Sequence, residues 1–206
     1  ASPQFDLFPE ITLEAKKYNL PLIMSVGISN VGDIDRMKNL CIDERIKDVI
    51  LLHCVSQYPT PAKNANLSFI STLRNIYDCL VGYSDHTMGI HFPVTAVALG
   101  ASVVEKHFTL DQKSSGPDHH FASEPLEFKN MVDQIREVRE GLGDGRKAPL
   151  TEWEEGHRER ISMKFVTNKQ LKAGSPIRKS DFNLMRGEGG ISRQNLSLIE
   201  GFSLKS

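Results

Sequence analysis

Cysteine is scarce in this chain: Cys41, Cys54 and Cys79 are odd in number and have no metal-type spacing. Each lies in or beside an apolar run. That argues against a disulfide framework and a cysteine metal knot, and for reduced core thiols. Charge of one sign is lacking too. Lys and Arg total 25 against 26 Asp and Glu, a net charge of −1. There is no electrostatic footprint for nucleic acid or for an anionic membrane. No apolar run approaches the roughly 20 residues that span a bilayer, and no signal-peptide pattern opens the chain. GxGxxG and Walker loops are missing, which weakens a nucleotide-binding reading. No motif repeats at a short period. A cytoplasmic globular protein is the expectation.

What is present is a repeated alternation. The apolar runs 19–27 (NLPLIMSVG), 47–56 (KDVILLHCVS), 80–86 (LVGYSDH) and 101–108 (ASVVEKHF) read as strands. They are continuous rather than alternating, so both faces are buried, as in parallel strands with helical crossovers. Between and around them, residues 9–18, 31–47, 67–78, 91–100 and 124–143 read as helices. The last of these carries Phe128, Met131, Val132, Ile135, Val138 and Leu142 at helical spacing. The class is α/β. A TIM (β/α)8 barrel keeps its polar residues at the C-terminal strand ends, and so does an open doubly wound sheet, so position alone does not separate them.

Residues 144–160 are rich in Gly and charge, lack buried periodicity and read as a linker. Residues 161–206 are turn-rich and short-stranded, which predicts a second small domain, β-rich, near the lower size limit for independent folding. The main domain is expected over residues 1–143.

The polar residues concentrate between Val81 and His120. Residues two apart on a strand share a face, so Ser84 points with His86 and Glu105 with His107. One strand-end histidine reads as a hydrogen-bonded structural residue. Two on neighbouring strands, beside Asp85, Glu105 and Lys106, make a site for a divalent cation such as Mn²⁺ or Mg²⁺. His53, in mid-strand, reads as a satisfied core histidine. Asp118, in a Gly-Pro-Asp turn, either closes that turn or meets a polar substrate. Ser25 either caps a strand end or binds phosphate.

The motifs LLHCVSQYPTP, VGYSDHTMGI, AVALGASVVEKHFTLD and GPDHHFASEP, in this order, resemble the sialic acid synthase family. KAGSPIRKSDFNLMRGEGGIS is similar to that family's antifreeze-like (SAF) domain. The resemblance implies a TIM barrel, a linker and a SAF domain, and a homodimer whose SAF domain reaches the partner's active site. The implied reaction condenses phosphoenolpyruvate with an N-acetylated hexosamine, N-acetylmannosamine first. A diacetamido hexose or a 6-phosphate sugar is the alternative. A further alternative is a catalytically silent half-barrel that binds or assembles.

By the same resemblance His86 and His107 hold the metal, Mn²⁺ foremost, with Mg²⁺ or Co²⁺ as substitutes. Ser2, Ser25, Tyr58 and Ser84 contact phosphoenolpyruvate, and Ser56 is a substrate-binding position where an amide contact is lost or replaced. Gln4 lies near the substrate, Asp118 meets the sugar hydroxyls and Arg186 the N-acyl group. Three departures bear on sugar choice. Ser56-Gln57-Tyr58 replaces Asn-x-Tyr, Gln4 stands at an acidic position, and Arg186 lies in an altered RGEGGIS loop. Residues 1–5 (ASPQF) match the end of the family's fourth barrel strand. The expectation is therefore a fragment: about half a barrel and a SAF domain that stops short, without the general base and without synthase turnover alone.

Overall fold

The run LIMS is flanked by Pro21 and Gly27, and VILLHC and LVGYSD are equally apolar over their first halves. In the computed structural model they form strands β1 (Leu22–Ser25), β2 (Val49–Cys54) and β3 (Leu80–Asp85), followed by β4 (Val104–Lys106). Residues 9–18, 20–46, 48–187 and 189–203 are described. They fall into two units, 1–145 and 146–206.

In the first unit the four strands form one parallel sheet in sequential order, β1-β2-β3-β4. Helix α1 (Pro9–Lys16) precedes it. Helices α2 (Val31–Asp43), α3 (Ser68–Ile76) and α4 (His91–Ala98) make the crossovers, and α5 (Pro125–Gly141) follows β4. The order never reverses, so there is no doubly wound switch point, and the barrel-type winding is the one observed. Helix α2 starts where the sequence supplies a capping box. Asn30 accepts from the Asp33 amide at 3.1 Å while Asp33 accepts from the Asn30 amide at 2.7 Å.

One face of the sheet carries the core. Leu22, Met24, Val49, Leu51, Val81 and Tyr83 pack on Ile34, Met37, Cys41, Ile70, Leu73 and Ala96 from the helices. The alternate strand positions face the other way. At the base of that face Ile23 pairs in register with Ile50, and Ile50 with Leu80. Ile23 is 48% and Leu80 56% exposed. Higher up, Gly82 lets β3 and β4 approach closely. A Cβ there would lie 2.5 Å from both Leu52 Cδ2 and the Val103 carbonyl oxygen. Gly82→Ala is therefore expected to destabilise the sheet by about 1–3 kcal/mol through overpacking, measured by urea unfolding.

The second unit contains β5 (Met163–Thr167) and β6 (Phe182–Arg186), antiparallel, with Met163 opposite Arg186. Its core is Ile177, Phe182 and Leu196, flanked by Phe165, Ile191 and Ile199. Helices α6 (Glu152–Ile161) and α7 (Arg193–Ile199) make it less β-rich than expected. Helix α6 occupies the second half of the stretch 144–160 that reads as a linker. That helix has no buried residue, which is why periodicity missed it. A capping box starts it, with Thr151 Oγ1 accepting from the Glu154 amide at 3.2 Å. Thr151→Ala should speed amide exchange in the first turn of α6 by about fivefold, read by hydrogen exchange.

Candidate functional site

Strand register decides which side chains meet. Tyr83 pairs with Val104, Ser84 with Glu105 and Asp85 with Lys106. Ser84 and Glu105 leave the sheet on the face away from the helices, and Ser84 Oγ donates to Glu105 Oε1 at 2.6 Å. Cys54 is opposite Ser84 on the other side. Two residues further along, on the same face, come His86 and His107. Their ring centroids are 5.2 Å apart at 68°. Ser84 thus meets Glu105, and His86 meets His107, on one face of the sheet.

The two imidazoles are held differently. The loop after β2 returns over His86. The Thr60 amide donates to the His86 carbonyl at 2.8 Å, and Thr60 Oγ1 donates to the Val55 and Gln57 carbonyls. This loop lays the Tyr58 ring on His86, centroids 4.1 Å apart. His86 Nδ1 donates to the Val55 carbonyl at 2.9 Å, and Cys54 Sγ lies 3.8 Å from the same nitrogen. Burial opposes a charged His86, but the Cys54 thiol and the Val55 carbonyl outweigh it and leave its pKa above the usual value. His107 is shifted the other way, downward, by burial and by the neighbouring His86.

His107 is fixed by the returning loop. The Ser123 amide donates to the His107 carbonyl at 2.8 Å and the Thr109 amide to the Ser123 carbonyl at 3.0 Å. This clasp sets Phe121, nearly fully buried, against the His107 ring at 4.8 Å. It also brings Asp118 Oδ2 to 3.8 Å from His107 Nδ1.

The donor set suits a divalent cation. With Nδ1–H donated to a backbone carbonyl, Nε2 is the nitrogen of His86 that could face a cation, and the downward shift of His107 favours its neutral form. No third His, Cys, Asp or Glu joins them as a ligand group among the described residues. A cation held by these two imidazoles would keep coordination positions for water or substrate oxygens. Ser25, 8% exposed, lies by the Cys54 thiol, whose pKa it helps to lower.

Of the other sequence-derived candidates, Ser56 is half-buried and Tyr58 exposed, both in the loop over His86. Arg186 is exposed at the end of β6 in the second unit. Ser2 and Gln4 lie outside the described residues. His53 is the core histidine expected: Nε2 donates to the Ala65 carbonyl at 2.8 Å, and the ring stacks on Tyr83 at 5.7 Å. Sequence reading missed Cys54 and Phe121 as neighbours of the histidines. Cys54 was findable, since it ends β2 on the face that carries Leu52 and pairs with Ser84. Phe121 was not, because a loop clasp carries no periodic signal.

Comparison with known proteins now decides the family. The NeuB family model matches residues 1–147. The chain belongs to the NeuB family. It is 40% identical over 179 residues to the N,N'-diacetyllegionaminic acid synthase of Campylobacter jejuni, covering 85% of this chain and 53% of that one. The pseudaminic acid synthase of a second strain of that organism is 35% identical over 176 residues, covering 85% and 50%. Among solved structures, the N-acetylneuraminic acid synthetase of Leptospira borgpetersenii in complex with citrate superposes with a TM-score of 0.69 at 34% identity. It covers 77% of this chain and 55% of that one. The parallel sheet is thus part of a TIM-barrel-like fold, and the chain spans about half the length of the relatives it matches.

Proposed function

We propose that this NeuB-family chain supplies the cation-binding portion, and part of the substrate-binding portion, of a synthase that condenses phosphoenolpyruvate with an N-acetylated hexosamine. The observation that carries this reading is the pair His86 and His107, side by side at the ends of adjacent parallel strands, with Ser84 and Glu105 directly beneath. In the reaction C3 of phosphoenolpyruvate bonds to the sugar's aldehyde carbon. Water adds at C2, and phosphate leaves with its bridging oxygen by C–O cleavage. A divalent cation, Mn²⁺ foremost, held by His86 and His107 would polarise that aldehyde.

The chain's own residues bind and orient. Ser25, Ser56, Tyr58 and Ser84 line the side on which the phosphoenolpyruvate phosphate and carboxylate are held, with Ser2 and Gln4 assigned near the substrate by resemblance. Asp118, beside His107, meets the sugar hydroxyls. Arg186, on a SAF-type second unit, meets the N-acyl group in a partner subunit. Four strands do not close a barrel, so the full site requires further strands, and the four alone are expected to give no turnover.

The test is phosphate release from phosphoenolpyruvate with N-acetylmannosamine, its 6-phosphate or a 2,4-diacetamido hexose. It uses a protein that carries this chain at the full length of its relatives. Release with one of these sugars, dependent on Mn²⁺, supports the reading. Release with none contradicts it and favours the silent-module alternative. The similarity to diacetyllegionaminic and pseudaminic acid synthases keeps the diacetamido hexose as the second reading.

A further inference from the structure

Behind the histidines, on the helix side of the same two strands, lies a second polar group, closed to solvent. Lys106 Nζ is 2.7 Å from Asp85 Oδ2, and these side chains are 1% and 0% exposed. The same ammonium donates to the Thr87 carbonyl at 2.9 Å. The other Asp85 oxygen accepts from the Thr87 amide at 2.9 Å. Asp85 and Thr87 flank His86 in the chain, and Lys106 immediately precedes His107. One buried ion pair therefore grips the backbone on both sides of one histidine and next to the other.

We infer that Asp85 and Lys106 are a register clamp that positions His86 opposite His107. The inference rests on the reading of those histidines as a cation pair. Strand β4 pairs with β3 through three residues, extended before it by the Tyr83 amide to the Val103 carbonyl and the Ser102 amide to the Val81 carbonyl; in so short a pairing the buried side chains choose among registers. A slip of one residue would carry Lys106 to the histidine face and His107 among the helices. A slip of two would keep the faces but set Asp85 opposite Val104 or Phe108, a buried carboxylate that keeps the Thr87 amide and loses its cation. The ion pair penalises both slips. An apolar pair of similar volume penalises the second hardly at all, because either register then sets apolar against apolar. Buried ion pairs often add little net stability over such a replacement, and specifying register is their best-attested use. Beside the backbone pairing, the side-chain tie from Ser84 to Glu105 is one hydrogen bond to an exposed carboxylate.

The experiment compares the chain with Lys106→Arg and with the double variant Asp85→Leu/Lys106→Met. Thermal melting reads the fold. Hydrogen exchange over residues 102–108 reads the β3–β4 pairing, and titration with Mn²⁺ reads the histidine geometry. The double variant is expected to melt within a few degrees of the parent. Its exchange over 102–108 should quicken at least tenfold, and its Mn²⁺ affinity should fall at least tenfold. Lys106→Arg should retain both. Unchanged exchange with unchanged affinity in the double variant overturns the clamp. So does loss of its fold, which would make the pair a general stabiliser. If the parent chain binds no Mn²⁺, the cation reading fails and the exchange measurement alone decides the clamp.

Discussion

Replacing His86 or His107 by alanine is expected to weaken Mn²⁺ binding by on the order of 100-fold or more, measured by calorimetric titration. The magnitude follows from the ligand count. Changes to groups that merely orient a metal ligand cost about 10–100-fold, and each variant here removes one of two protein ligands outright. Fold should survive in both. His107 is only partly buried, and its ring is a wall of Phe121 rather than part of the helix-side core. His86→Ala exposes the Val55 carbonyl and frees Tyr58, both in a loop that Thr60 ties independently. Equal Mn²⁺ affinity in either variant would remove that histidine from the site. His53→Ala is the control: it lies on the opposite face, bonded to Ala65, and should leave Mn²⁺ affinity unchanged even where it lowers stability.

Lys106→Met alone is expected to destabilise the first unit by about 3–5 kcal/mol, because it leaves the Asp85 carboxylate buried without its cation. For a unit of this size that corresponds to a fall in Tm on the order of 10 °C. The contrast with the paired apolar replacement carries the argument. Removing one charge leaves an uncompensated ion, whereas removing both leaves a packed apolar contact. A Lys106→Met protein that melts with its parent would show that Asp85 finds another partner or accepts a proton at little cost.

The sequence made the sheet legible because each of its first three strands is a short apolar run closed by turn or polar residues. It also showed that His86 shares a face with Ser84, and His107 with Glu105, since that follows from strand alternation alone. Register was not legible. Asp85 and Lys106 are 21 residues apart, and nothing local says that they are opposite each other. Nor was the clasp of Ser123 on His107, which depends on a loop returning to an edge. Helix α6 was missed for a different reason. It buries nothing and is started by a capping box, so the hydrophobic pattern is silent where the cap residues Thr151 and Glu154 speak. The histidine pair was easier to read than its packing. Two histidines at strand ends are rare, while the carbonyl that fixes the His86 tautomer belongs to Val55, whose side chain says nothing about it.

The most direct test of the central claim is pulsed electron paramagnetic resonance of the chain loaded with one equivalent of Mn²⁺. The account predicts nitrogen couplings from two imidazoles, reduced to one by His86→Ala and to the other by His107→Ala. A Mn²⁺ spectrum with oxygen coordination alone, unchanged by either substitution, would contradict it.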